Sequence, residues 1–200
     1  MSQEHTDARR RQILAAGRRC FAANGFHATS MQDLLREMGL SAGAFYRYFA
    51  GKDELINAIA EDAVDRAADE LADYFAQEPL PPLPDLLAGV PGARIGPMLD
   101  RETQDVLLQI WSESMRAPEL RKRIQAGFAT LLGLLADLMR RYRDRGELPP
   151  DADPEACARA VVGMIQGYVL QRSVFGLDDA EPFATGLHIL LSRGGSPSAG

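Results

Sequence analysis

Between Pro118 and Arg143, the residues Leu120, Ile124, Phe128, Leu131, Leu135, Leu138 and Tyr142 return every three or four positions. That spacing matches the 3.6-residue turn of an α-helix and would scatter over both faces of a strand. The same period recurs along most of the chain. Ile13, Leu14, Gly17, Cys20 and Phe21 make one apolar stripe in a helix expected over about Asp7–Ala23. Val106, Leu107, Ile110, Trp111 and Met115 do so over Asp100–Arg116, and further helices are expected over about Pro154–Val174 and Glu181–Leu191. No stretch alternates apolar and polar residues, and no internal repeat stands out. The expected fold is all-α: an N-terminal three-helix head with a helix-turn-helix, joined to a helical body.

Punctuation within the first 80 residues sets the head. Asn24-Gly25 stops the first helix, because Gly accepts the left-handed conformation that closes a helix. Thr29 with Gln32 reads as a capping box for a second helix, whose buried face is Met31, Leu34, Leu35 and Met38. Gly39 ends it. Ser41 caps a third helix at once, and Leu40 can pack on Phe45 as a hydrophobic staple. This third helix is expected to end near Phe49. After the Ala50-Gly51 break, Lys52 or Asp53 opens a long fourth helix to about Gln77, with Leu55, Ile59, Val64, Leu71 and Phe75 as its apolar positions. Pro79–Pro97 is rich in Pro and Gly, and only Pro84–Ala88 reads as a helical piece. The expected division is a head over residues 1–68, a body over 69–193 and a flexible tail over 194–200.

Several function classes find no support. The longest uncharged, largely apolar runs, Gln125–Ala136 and Ala160–Gln171, fall short of the ~20 residues of a membrane span. The charged opening segment lacks the apolar stretch of a signal peptide, so no membrane partner and a cytoplasmic location are expected. Cys20 and Cys157 sit in apolar helical patterns and read as small buried hydrophobes. His5, His27 and His188 are scattered, with no ligand-spaced Cys or carboxylate beside them. There is no HExxH, GxSxG or phosphate-binding loop, and Glu61-Asp62 and Asp178-Asp179 read as solvated helix ends. No catalytic residue, metal or cofactor is expected. The net charge of −6 is divided unevenly: residues 1–52 carry +4, which leaves −10 on the rest. A basic head on an acidic body suits a head that alone meets a polyanion. The run Arg9–Arg11 reads either as a phosphate-facing helix end or as a solvated face.

The third helix carries the functional signal. Phe45 and Phe49 are one turn apart and point to the core. Ala42, Gly43, Ala44 and Arg47 lie toward the other side, flanked by Tyr46 and Tyr48. A surface helix usually presents Glu and Lys. Small residues instead let a backbone approach a groove, Tyr hydroxyls can bond phosphate, and Arg47 can reach base edges, guanine above all. An exposed helical hairpin with no ligand would carry the same pattern of burial.

The segment Gly25-Phe26-His27-Ala28-Thr29-Ser30-Met31, followed by Ser41 through Leu55, closely resembles the DNA-binding head of the TetR/AcrR family of transcriptional regulators. The motif covers about a quarter of the chain. The resemblance implies a homodimer that binds a palindromic double-stranded DNA operator and is released by a small, largely apolar inducer. It implies backbone contacts for Thr29 and Ser30. Ser41, Ala42, Gly43 and Ala44 become the leading edge in the major groove. Tyr46, Tyr48 and Lys52 become phosphate contacts, and Arg47 stands where the operator is read. Leu35 and Met38 fill positions that are usually Ala in the family, which implies a slightly wider gap between the two helices. An enzyme or adaptor on a helical body is the alternative reading.

In the body, Trp111, Met115, Phe128, Leu131 and Met164 are candidates to line a ligand cavity, with plain core packing as the alternative. Ala156, Ala160, Gly163 and Gly167 fall on one face, where small residues let another helix come close. With Leu187 and Leu190 of the last helix, they would build the four-helix dimer interface that the family's last two helices usually form. A tight helix pair within one chain is the other way to use them.

Overall fold

The computed structural model describes residues 3–76, 78–90 and 101–192. The described residues form helices and connecting turns, with no strand: α1 Gln3–Asn24, α2 Met31–Met38, α3 Ala42–Phe45, α4 Lys52–Phe75, α5 Leu83–Gly89, α6 Arg101–Ser114, α7 Pro118–Asp144, α8 Pro154–Phe175 and α9 Ala180–Ser192. The all-α expectation is met, and the long helices lie where the periodicity puts them. None is long and apolar enough to cross a membrane. The tail over 194–200 and residues 91–100, which include the end of the Pro79–Pro97 stretch, lie outside the described residues.

The chain packs as two compact units. The first is Met1–Asp65 with Asp100–Gly127, and the second is Arg66–Leu99 with Phe128–Gly200. Thus α6 and the start of α7, which the sequence reading gave to the body, pack with the head. The reason is apolar: Val106, Ile110 and Leu120 share one core with Ile13, Phe21, Leu34, Phe45, Phe49, Leu55 and Ile59. Phe21, Leu34, Phe45, Leu55 and Ile59 are fully buried there. Gly17 makes this packing possible. A Cβ on it would stand 3.0 Å from Ile59 Cδ1, 3.2 Å from Leu55 Cδ2 and 3.5 Å from Met38 Cε. The bulk of Met38 is therefore taken up by the missing side chain on α1.

In the second unit, the end of α7 ties down the proline-rich connection. Tyr142 is fully buried and its hydroxyl donates to the Pro81 carbonyl at 2.8 Å. Burial pushes its pKa up to about 12. Arg145 donates to the Leu80 carbonyl and Arg141 to that of Phe75. Glu147 accepts from the Leu83 N–H, at the start of α5. These bonds replace the ladder that a Pro-rich segment cannot make for itself.

Gly127 of α7 lies against Val64 of α4, in the first unit. A Cβ there would lie 2.2 Å from Val64 Cγ1. Val64 is β-branched and stiff, so it cannot swing away. Gly127→Ala should therefore destabilise the protein by about 1–3 kcal/mol, despite the better helix propensity of Ala. Adding Val64→Ala should recover most of the loss. Chemical denaturation of the single and double variants measures both.

Candidate nucleic-acid interface

The helix-turn-helix is built by three local devices. Ser30, in extended backbone, caps α2: its Oγ accepts from the Asp33 N–H, and the Asp33 carboxylate accepts from the Ser30 N–H. The hydrogen bonds from the Ser30 hydroxyl and N–H hold the Asp33 carboxyl below its ordinary pKa. The box is thus one residue later than the Thr29–Gln32 pair expected from sequence. Gly39 closes α2 at φ +61°, in the left-handed region. The Gly39 N–H reaches the Arg36 carbonyl and the Leu40 N–H that of Leu35, which together make a Schellman turn. Ser41 then caps α3 through the Ala44 N–H.

Helix α3 is shorter than expected. Regular helix covers Ala42–Phe45, and residues 46–48 continue as a turn in which the Tyr48 and Phe49 N–H groups both converge on the Phe45 carbonyl. Phe45 and Phe49 are buried, with ring centroids 5.8 Å apart. Burying both rings on one side bends the chain into this tight turn.

The opposite side faces solvent. Ser41, Ala42, Gly43, Tyr46 and Arg47 are exposed, and Ala44 and Tyr48 are half-buried. Tyr46 sets its ring edge against Phe45. Ser30 is exposed as well. Thr29 is different. It is 1% exposed, and its hydroxyl donates to the Gly25 carbonyl at 2.7 Å. Its side chain closes the α1–α2 turn, a structural task that the sequence reading did not assign to it. The hydroxyl was the signal: after the φ +81° bend at Gly25, the carbonyls of the turn need donors.

Lys52 serves the same turn. Its Nζ donates to the carbonyls of Phe26, at 2.8 Å, and Thr29, at 3.0 Å. An ammonium has three N–H donors, so one remains for a phosphate oxygen. On the other side of the turn stands α6. Gln109 accepts from the Phe26 N–H and donates to the Phe21 carbonyl, and Glu113 lies 3.0 Å from His27 Nε2. Sequence reasoning passed over Gln109 and Glu113. A lone polar residue on a helix gives no sign of a partner more than 80 residues away.

The body candidates are spread more widely. Trp111 and exposed Met115 belong to the first unit, and Phe128, Leu131 and Met164 to the second. Of the five, Met164 lines an apolar cleft of the second unit, with Leu87, Val90, Val161, Tyr168, Phe183 and Leu187 among its neighbours. The interior space is about 10 Å³, the room of a single water. Leu187, a dimer candidate on sequence, thus takes part in packing within the chain.

The other dimer candidates lie on the outside. Ala156, Ala160 and Gly163 are exposed and Gly167 is half-buried. Leu170 and Val174 continue the same four-three spacing, and both are exposed. Phe175, Leu177, Ile189 and Leu190 are exposed as well, Leu190 at 75%. The sequence reading took the small residues of this seam and missed its large apolar end, which the same period reaches.

Comparison with known proteins agrees with this geometry. The profile of bacterial regulatory proteins of the tetR family matches residues 13–59, and the C-terminal profile of BetI-type transcriptional repressors matches residues 95–190. The HTH-type transcriptional regulator UidR of Escherichia coli is 25% identical over 198 residues, spanning 96% of each chain. The structure of Salmonella enterica GusR superposes with a TM-score of 0.76 at 29% identity, covering 93% of this chain and 94% of that one. A regulator from Saccharomonospora viridis, solved in complex with choline, has the same fold at 22% identity, with a TM-score of 0.76 and coverage of 94% and 97%. With both ends of the chain matched to the family and its helix-turn-helix intact, this protein belongs to the tetR family of DNA-binding transcriptional regulators.

Proposed function

We propose that the protein is a cytoplasmic repressor, with no enzymatic role, that binds a palindromic operator as a homodimer and lets go when a small, largely apolar molecule binds its body. The observation that carries this reading is the outer side of α3. Ala42, Gly43 and Ala44 offer a surface that can approach a major groove, and exposed Arg47 has no ion-pair partner among the described residues. A planar guanidinium of this kind fits guanine O6 and N7.

The dimer is assigned to the seam of Ala156, Ala160, Gly163, Gly167, Leu170 and Val174 on α8, with Ile189 and Leu190 of α9. Small residues let a second pair of helices come close, and the large apolar end supplies area to bury. Two recognition segments must stand about 34–36 Å apart to enter successive major grooves, so the interface sets the operator. The ligand is assigned to the apolar cleft beside Met164. Its interior has room for about one water, so an inducer must part α5 from α8 and α9. Release then follows as a population shift toward an opened state. In this scheme the signal reaches the head through α4, as a lever, and through α6, whose Gln109 grips the α1–α2 turn. That a regulator of the same fold binds choline supports a small-molecule effector without giving its class.

A gel-shift with the DNA upstream of the protein's own gene should show a discrete complex, and no shift there or on a selected operator library would defeat the reading. Arg47→Ala should cost about 1–3 kcal/mol per half-site and relax selectivity at one base pair, with an unchanged melting temperature. An even loss across all operator variants would remove Arg47 as a reader. Lys52→Ala should weaken specific and non-specific DNA alike and also lower the melting temperature, because two carbonyls of the turn lose their donor.

Gly163→Arg tests the dimer cleanly. A Cβ at Gly163 would meet nothing within 4 Å in the single chain, so the fold should stand. Sedimentation should show folded monomers that bind DNA poorly, and an intact dimer would place the interface elsewhere.

A further inference from the structure

The cations of the head divide into two sets. Arg18 is paired with Asp62 at 3.0 Å, Arg19 with Glu37 at 3.0 Å and Arg36 with Asp33 at 3.3 Å. Arg10, Arg11 and Arg47 face no carboxylate among the described residues, and Arg9 donates to the neutral Gln12. The unneutralised charge is therefore gathered on the N-terminal turns of α1 and beside α3.

One contact joins these two places. The guanidinium of Arg10 stands over the ring of Phe49, 5.4 Å from its centroid. Phe49 is the buried aromatic that ends the recognition segment, next to Tyr48 and three residues before Lys52. A guanidinium held against a ring spends none of its five N–H donors on that contact, and these stay available because Arg10 is exposed. The side chain is thus held in place by an aromatic ring, carries an uncancelled charge and sits at the end of the segment that meets DNA.

We propose that α1 supplies a second DNA-backbone contact, centred on Arg10 and supported by Arg11, and that Arg10 moves with the recognition segment because it is anchored on Phe49. This rests on the DNA-binding reading above. It adds a contact outside the helix-turn-helix, and its partner is the phosphodiester backbone of duplex DNA rather than a base edge. Arg10 would add affinity and fix the angle of the head, with no effect on which sequence is preferred.

The test is the salt dependence of binding to a mixed-sequence duplex and to a selected operator, with Arg10→Met and Arg10→Lys. Methionine keeps an apolar cover on Phe49 and removes the charge. Each phosphate contact contributes about 0.9 to the slope of log affinity against log salt, so Arg10→Met should flatten the slope by about that amount per subunit on both duplexes. Base preference and melting temperature should not change, and Arg10→Lys should restore the slope. A wild-type slope in Arg10→Met would overturn the proposal, as would a slope that Arg10→Lys fails to restore. If wild-type protein binds neither duplex at low salt, the DNA-binding reading falls and this inference with it. If wild-type binds and Arg10→Met keeps its slope, this inference falls alone.

Discussion

A helix of one turn cannot hold itself together. Fixing its first hydrogen bond costs more backbone freedom than the bond returns, and Ala42–Phe45 never lengthens enough to recover that cost. The recognition segment exists because Phe45 and Phe49 are buried on its inner side, each worth about 1.5–3 kcal/mol of transfer. The left-handed turn at Gly39 and the cap at Ser41 set its direction, and the core supplies the stability. The outer side is thereby released from any packing duty. Ala42, Gly43 and Ala44 can be small because nothing in the fold asks them to be large.

The α1–α2 turn is held on different terms. Its carbonyls and N–H groups are met by Thr29, by Lys52 from α4 and by Gln109 from α6. Hydrogen bonds weaken steeply with angle, whereas apolar contacts tolerate sliding. A small displacement of α6 would thus be felt at this turn before it is felt in the core around Leu34 and Phe45. That sensitivity suits a head whose position responds to a distant event, and it gives a reason for Lys52 to spend two of its donors inside the protein.

The sequence was legible where one helix decides its own fate. Apolar spacing located the long helices to within a few residues, and caps with Gly and Pro breaks located the short ones. It failed by one residue at the α2 cap. Thr29-Ser30 offers two adequate caps, and the bond from the Thr29 hydroxyl back to the Gly25 carbonyl draws Thr29 inward and leaves the cap to Ser30. It also overran α3, since the spacing of Phe45 and Phe49 fits a helix and a tighter turn equally well. The exposed outer side of α3 was visible from side-chain size and charge. The partners of Gln109 and Glu113 and the contact of Arg10 with Phe49 were not, for each depends on where a second segment passes. The Trp111–Met164 set shows the same limit. Bulk and apolarity name core candidates, and the chain distributes them over two units.

The distribution of exposed apolar side chains leads to a last step. Among the described residues, eight large hydrophobic side chains are exposed, and six of them, from Leu170 to Leu190, fall in α8, α9 and the loop between. Helix α9 has no buried residue, although it is the most apolar segment of the chain's end. Single exposed leucines are common on any protein, but six in one helix pair and its loop cost solubility and return no stability to the isolated chain. The same helix pair has its inner side occupied: Val161, Val162 and Tyr168 are buried, and Phe183 packs its ring 5.1 Å from Tyr168. One side of α8 thus completes the body, and the proposed dimer uses the other. In the scheme proposed above, a ligand that parts these helices on the inside would shift the seam on the outside, and effector and subunit spacing would act on opposite faces of one helix.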